Sequence, residues 1–82
     1  MNITIYSTSS CSTCQSLCDW LHKNGFDYTK KITDTDQATM EEFMAINDGF
    51  IGVPFTVITE DDGKQTKVSG YDLAALKAAL QL

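Results

Sequence analysis

The residues with the clearest chemical potential are two cysteines separated by two residues. The segment Cys11-Ser12-Thr13-Cys14 brings two thiols close enough to form a small disulfide ring, and the pattern that follows predicts a helix starting at Ser12. Unpaired N–H groups and the helix dipole favour a thiolate there, lowering a cysteine pKa from ~8.5 to a value of about 3.5 to 7.5. We therefore expect Cys11 to attack a disulfide and the more buried Cys14 to resolve the mixed disulfide.

A zinc site is the main alternative, because half of many zinc sites is a Cys-x-x-Cys. Cys18 and His22 could supply two further ligands from the same helical face. These residues extend over roughly three turns of ~5.4 Å, whereas zinc ligands lie within about 2.3 Å of one ion. A zinc-bound interaction module would need a broken helix or a second chain. We therefore expect no metal, and we expect Cys18 to pack beside Leu17 and Leu21.

Composition and charge limit the classes of function. With 82 residues, the chain is expected to form a single domain over residues 1–82. The formal charge is −5, and residues 34–48 contain acidic side chains without a Lys or Arg, so we expect no nucleic-acid partner. No stretch is long enough to span a bilayer and no leader is evident, which predicts a cytoplasmic protein without a membrane association. Three cysteines without a leader argue against a disulfide-stapled secreted fold.

The hydrophobic pattern predicts seven elements in the order β-α-β-α-β-β-α. Residues 53–59 contain the only proline, Pro54, and are otherwise all β-branched or aromatic, as expected for a strand covered on both faces. Met40, Phe43 and Met44 form a modest apolar stripe on the second helix. The expected strands cover residues 2–6, 26–32, 53–59 and 66–69. The first helix is expected over residues 12–23. The second helix should lie between the capping residues 33–36 and the stop at residues 47–49, and the third should follow the cap Asp72.

These elements predict an α/β fold in which a four-stranded mixed sheet is flanked by three helices. The first strand, helix and strand form a βαβ unit, so the first two strands should be parallel. Residues 60–63 carry the Asp-Gly signal of a tight hairpin, which should make the last strand an antiparallel edge strand. The cysteine pair then lies at the start of the first helix, just after the loop that follows the first strand.

Four features in this order and spacing resemble the glutaredoxin family over essentially the whole chain. They are a first strand, a Cys-x-x-Cys at the next helix, Val53-Pro54 opening a buried strand, and Gly70-Tyr71-Asp72 before the last helix. The resemblance implies a thioredoxin-like fold, thiol-disulfide oxidoreductase activity and a cis peptide at Pro54 that faces the cysteine pair. It also implies a groove for substrate or glutathione, lined by Ser12, Thr13, Val53, Pro54, Tyr71 and Asp72.

Two branches of this family compete. The sequence around Val53-Pro54 and Tyr71 is similar to NrdH-type redoxins, which reduce ribonucleotide reductase and take electrons from thioredoxin reductase. Glutathione-using members more often place a Lys or Arg shortly before the first cysteine, where this chain has Ser and Thr, yet Asp72 matches the acidic residue that holds the glutathione amino group. The resemblance implies a monomer without a tightly bound cofactor, with glutathione as a possible co-substrate.

Two positions depart from the family pattern. Ser12 stands where a proline is usual, and Gly52 stands where a threonine is usual before Val-Pro. The first departure bears on the redox potential of the cysteine pair. In some members a small residue at this place accompanies a bridged iron-sulfur cluster bound with glutathione, so a cluster carrier is a further alternative.

Overall fold

The computed structural model describes the whole chain, residues 1–82, and confirms the predicted order of elements. The sheet has the order β2-β1-β3-β4; β1 pairs with β2 in parallel, and β3 pairs in antiparallel with both β1 and β4. None of the three helices has the length and apolar character that a membrane-spanning helix needs. The elements are β1 (Asn2–Ser7), α1 (Ser12–Lys23), β2 (Thr29–Ile32), α2 (Gln37–Ile46), β3 (Phe55–Thr59), β4 (Gln65–Ser69) and α3 (Leu73–Leu80).

The strand register brings four loops to one edge of the sheet. Tyr6 near the end of β1 pairs with Phe55 at the start of β3, and Phe55 also pairs with Ser69 at the end of β4. Ser7 pairs with Ile32 at the end of β2. We call this edge, formed by residues 8–11, 33–36, 47–54 and 70–72, the loop edge.

The larger hydrophobic core lies between one face of the sheet and the helices α1 and α3. Cys18 is buried within it together with Leu17 and Leu21, which confirms the packing role predicted for this cysteine. Trp20 is partly buried and packs against the same core. The core residues are Ile3, Ile5, Leu17, Cys18, Leu21, Ile58, Val68, Leu76 and Leu80.

A smaller aromatic core lies on the opposite face, under α2. Phe43 packs between Tyr6 and Phe55, with ring centroids 5.6 and 5.7 Å away. The predicted apolar stripe of α2 is wrong in part, because Met40 and Met44 are 36% and 55% exposed. α2 has only ten residues, and Phe43 is its only buried side chain.

The second strand begins later than predicted, at Thr29 rather than at residue 26. Gly25 adopts φ +81°, and the Phe26 N–H then donates to the Leu21 carbonyl at 2.9 Å. This bond closes the end of α1 and keeps Phe26 out of the sheet ladder. Phe26 and Tyr28 still pack against the larger core, so their apolar character reflects burial rather than strand pairing.

The third strand is also shorter than predicted, since it begins at Phe55 rather than at residue 53. Pro54 has no N–H to give to a ladder. Its carbonyl nevertheless accepts a hydrogen bond from Gly70 N at 2.8 Å, which extends the β3–β4 contact by one step. Residues 55–58 are all buried, so the prediction of a strand covered on both faces is confirmed.

We predict that Phe43→Ala lowers the free energy of unfolding by about 3–5 kcal/mol, because it removes the only fully buried side chain of α2 from the aromatic core. Met44→Ala, on the same helix, removes an exposed side chain and a weak sulfur acceptor for Asn47 Nδ2 at 3.6 Å, so it should change the free energy of unfolding by less than about 1 kcal/mol. Urea unfolding followed by circular dichroism measures both. Equal losses in the two variants would contradict this packing arrangement.

Candidate active site

The cysteine pair occupies the start of α1. Cys11 is the N-cap residue, with extended backbone angles, and its sulfur accepts a hydrogen bond from the Cys14 N–H at 3.1 Å. Cys11 is partly exposed, whereas Cys14 is fully buried. The two are joined as a disulfide with a Cα–Cα distance of 5.3 Å. After reduction, the same N–H group and the N-terminus of α1 are placed to stabilise a Cys11 thiolate.

The loop before Cys11 is held by the loop that follows β2. Asp34 accepts hydrogen bonds from Ser9 N at 3.0 Å and from Ser9 Oγ at 2.8 Å. The Ser7 carbonyl accepts bonds from both Thr33 N at 2.8 Å and Thr33 Oγ1 at 3.1 Å. Sequence reasoning treated residues 33–36 only as caps of α2, and only Asp36 has that role. Asp34 instead fixes the loop that presents Cys11.

The Val53–Pro54 peptide is cis, as the family resemblance implied. Pro54 is buried and Val53 is half-buried. Because Pro54 directly precedes the β3 residue that pairs with Tyr6, and Cys11 lies just beyond the end of β1, both sites are at the loop edge. Val53 lies outside the sheet registers.

The remaining predicted groove residues also lie at the loop edge. Ser12 and Thr13 are exposed in the first turn of α1, and Tyr71 is exposed in the loop before α3. Asp72 is the N-cap of α3, and its carboxylate accepts a hydrogen bond from Ala75 N at 3.1 Å. The predicted cap is therefore confirmed. The binding roles of these four residues stay predictions.

A contact missed from the sequence explains Gly52. The Phe50 ring stacks on Phe55, with centroids 6.2 Å apart, and lies over Gly52. A Cβ atom at position 52 would come within 3.0 Å of Phe50 Cζ, so the ring would have to move. The preceding loop leaves Ile51 79% exposed beside it. No short-range pattern in the sequence indicates this ring placement.

The loop edge is acidic. Its loops carry four aspartates and no Lys or Arg: Asp34, Asp36, Asp48 and Asp72. Lys67, on β4, pairs with Asp48 at 3.3 Å. Lys31, on β2, pairs with Glu42 at 2.9 Å, and this hydrogen bond raises the pKa of Lys31. Lys31 and Lys67 are thus engaged by carboxylates, whereas the Lys30 ammonium donates to Gln15 Oε1 on α1 at 3.4 Å.

The four residues of the zinc alternative are not brought together. Cys11 and Cys14 are adjacent, but Cys18 is buried in the larger core and His22 is exposed in the last turn of α1. No three His, Cys, Asp or Glu side chains converge on a point where they could hold a metal ion.

The order of strands and helices, with a cysteine pair at the start of α1, is that of the thioredoxin-like fold. The sequence matches the family model described as Glutaredoxin over residues 3–62. This match covers most of the chain, and the chain belongs to the glutaredoxin family.

Solved structures agree with this assignment. The NrdH-redoxin of Escherichia coli, described as glutaredoxin-like with a thioredoxin-like activity profile, is 28% identical, with a TM-score of 0.69 over 88% of this chain and 86% of that chain. The thioredoxin-like protein BC3987, as its mutant T8A, has a TM-score of 0.79 at 22% identity over 98% of this chain and 95% of that chain. At that identity the likeness shows the fold alone.

A curated relative matches over a shorter segment. The global transcriptional regulator Spx 2 of Bacillus anthracis is 34% identical over 44 residues, which are 54% of this chain and 34% of that protein. The match thus spans about a third of the relative's length.

We predict that Asp72→Ala lowers the free energy of unfolding by about 1 kcal/mol, because α3 loses the acceptor for the Ala75 N–H. Asp72→Asn keeps an acceptor oxygen without the charge and should retain most of the stability. Urea denaturation of the oxidised proteins measures both effects. If asparagine costs as much as alanine, the carboxylate acts through its charge rather than as a cap.

Proposed function

We propose that this protein is a dithiol oxidoreductase that reduces disulfides in protein substrates, with Cys11 as the nucleophile and Cys14 as the resolving thiol. The observation that carries the proposal is the asymmetry of the pair. Cys11 is partly exposed, and its sulfur accepts the Cys14 N–H, whereas Cys14 is buried. An exposed sulfur stabilised as a thiolate is suited to attack, and a buried neighbour is suited to intramolecular release.

The reaction proceeds through a mixed disulfide. The Cys11 thiolate attacks one sulfur of the substrate disulfide, and the other substrate sulfur leaves as a thiolate and takes up a proton. Cys14 then loses its proton and attacks the Cys11 sulfur, which releases the second substrate thiol. Two electrons have passed from the protein to the substrate, and the protein holds the Cys11–Cys14 disulfide. A separate thiol reductant restores the dithiol, and no tightly bound cofactor is needed.

An extended polypeptide suits the surface around Cys11. Val53 lies before β3 and outside the sheet registers, so no strand pairing occupies its backbone, which supports its pairing with a substrate strand. Ile51 and Tyr71 add exposed apolar side chains on the same edge, at 79% and 42% exposure. Apolar and aromatic contacts of this kind supply much of the binding free energy in protein interfaces.

The charge of the loop edge favours a protein substrate over glutathione. Glutathione carries two carboxylates and one ammonium at neutral pH, so cations help to bind it. The loops here carry four aspartates and no cation, and Lys31 and Lys67 already pair with carboxylates. We therefore propose that the protein receives its electrons from thioredoxin reductase. We propose further that it acts in the cytoplasm and that ribonucleotide reductase is among its substrates.

Glutathione-dependent activity is the second candidate, and the position of Asp72 favours it. Asp72 lies at the loop edge at the N-terminus of α3, where its carboxylate and the adjacent N–H groups could receive the peptide's amino group and a carboxylate. The same carboxylate already caps α3, however, which gives Asp72 a structural role without any ligand.

We predict that the parent protein supports faster NADPH consumption with thioredoxin reductase than with glutathione and glutathione reductase. Cys11→Ser should reduce both rates to background, because the thiolate is lost. Cys18→Ala should stay within a few-fold of the parent, since Cys18 is buried away from the surface. A faster glutathione route would support the second candidate, and activity in Cys11→Ser would refute the assignment of the nucleophile.

We further predict that Cys14→Ser traps its substrate on Cys11, because the variant can attack but cannot release by the intramolecular route. Intact mass spectrometry after incubation with a disulfide protein should show a covalent adduct that dithiothreitol removes, and turnover with thioredoxin reductase should be lost. The double variant Cys11→Ser/Cys14→Ser is the matched control and should form no adduct. If Cys14→Ser forms none while the parent turns over, the proposed order of attack is wrong.

A further inference from the structure

One buried hydroxyl near the cysteine pair has no hydrogen-bond partner. Thr56 is 0% exposed, and its Oγ1 is the one buried side-chain oxygen or nitrogen left unpaired in the structure. Leaving such a group unpaired costs free energy, and a valine of nearly the same shape would avoid that cost. Buried polar groups are nearly always paired, so we asked which neighbouring group could pair with this hydroxyl.

Thr56 faces the side of the sheet that α1 covers. Its neighbours Phe55 and Val57 belong to the aromatic core on the α2 side, so strand alternation turns Thr56 to the opposite side, together with Ile58. Its cross-strand partner is Ile5, which belongs to the larger core under α1 and α3.

On α1, the polar atoms that face this side are two sulfurs. The buried residues of α1 are Cys14, Leu17, Cys18 and Leu21. Cys18 lies one turn after Cys14 and contacts Tyr28. Burial raises the pKa of Tyr28, and the contact with Cys18 raises it further, so the Cys18 sulfur already has a neighbour. Ser7, a buried hydroxyl at the end of β1, already donates to the Thr8 carbonyl at 3.0 Å.

Cys14 is at the correct end of the sheet to meet Thr56. It lies in the first turn of α1, which starts at the loop edge, and Thr56 is the second residue of β3, which starts at the same edge. Both residues are fully buried, and Cys14 is the buried residue of α1 nearest to the loop edge.

We propose that the Thr56 hydroxyl is the hydrogen-bond partner of the Cys14 sulfur, and that this bond forms only when the Cys11–Cys14 disulfide is open. In the disulfide, Cys14 Sγ has no proton and no charge and is a weak acceptor. A dithiol reductant supplies two electrons and two protons and becomes a disulfide itself, while the S–S bond of the protein breaks. Cys14 then has an S–H that donates to Thr56 Oγ1, or a thiolate that accepts from it.

The consequence is a bias toward the reduced form. A hydrogen bond present only in the dithiol state stabilises that state and raises the reduction potential of the pair. The inference rests on the proposed function only in assigning the redox cycle to these two cysteines. Removing the hydroxyl should make the protein harder to reduce.

The test is the redox equilibrium of the pair in dithiothreitol buffers, measured by thiol alkylation and mass spectrometry. Thr56→Val should shift the equilibrium constant toward the disulfide by about tenfold, or about 30 mV. Thr56→Ser keeps the hydroxyl and should stay within about twofold. Thr4→Val, the same change on β1 where the side chain lies on the opposite face with Tyr6, should leave the equilibrium unchanged.

Thermal unfolding of the reduced protein assigns the partner. Thr56→Val should lower the midpoint of the reduced parent but not that of reduced Cys14→Ala, which has no sulfur at position 14. An unshifted equilibrium in Thr56→Val, an equal shift in Thr4→Val, or the same loss in the Cys14→Ala background would each overturn the inference.

The equilibrium measurement does not require turnover, so the two proposals fail separately. A parent protein that turns over substrate while Thr56→Val is unshifted refutes only the role of Thr56. A parent whose pair equilibrates with dithiothreitol but reduces no protein disulfide refutes the proposed function, and a shift in Thr56→Val would still support the hydrogen bond.

Discussion

The antiparallel pairing of β1 with β3 is the constraint on which the site depends. It places Tyr6 opposite Phe55, so that the chain leaving β1 toward Cys11 and the chain entering β3 from Pro54 meet at one edge. The register also decides which side chains face which helices. A slip of one residue would turn Thr56 toward α2 and Phe55 toward α1, and both cores would lose their members. Because β3 is buried on both faces, its register is determined, and this register also determines the position of the loops that form the site.

The helix α1 combines reactivity with anchorage. Its N-cap, Cys11, is partly exposed to solvent. The buried face of the helix begins at Cys14, and Leu17 and Leu21 on this face belong to the larger core. The loop before Cys11 is held from the other side by Thr33 and Asp34, which bond to Ser7 and Ser9. The nucleophile therefore lies between a packed helix and a tethered loop, and little rearrangement is needed to present it.

Much of this organisation could be predicted from the sequence where the signals are local. The sequence predicts a helix over residues 12–23, and α1 has this range, because the buried residues Cys14, Leu17 and Leu21 recur at helical spacing. Longer-range effects were not accessible. Phe26 reads as a strand residue, but its N–H closes the end of α1, and Met44 reads as core although α2 contacts the sheet mainly through Phe43. The unpaired hydroxyl of Thr56 is likewise invisible in a β-branched run, because pairing depends on the opposite layer.

The placement of Phe50 over Gly52 has a consequence for substitutions at both positions. The Phe50 ring stacks on Phe55, and Phe55 packs against Phe43 of α2. The three rings form a continuous aromatic column that connects the loop before Pro54 to α2. A side chain at position 52 would meet the tip of the Phe50 ring at 3.0 Å, so it fits only if that ring shifts. Because the ring also packs on Phe55, a substitution at position 50 alters which side chains position 52 tolerates.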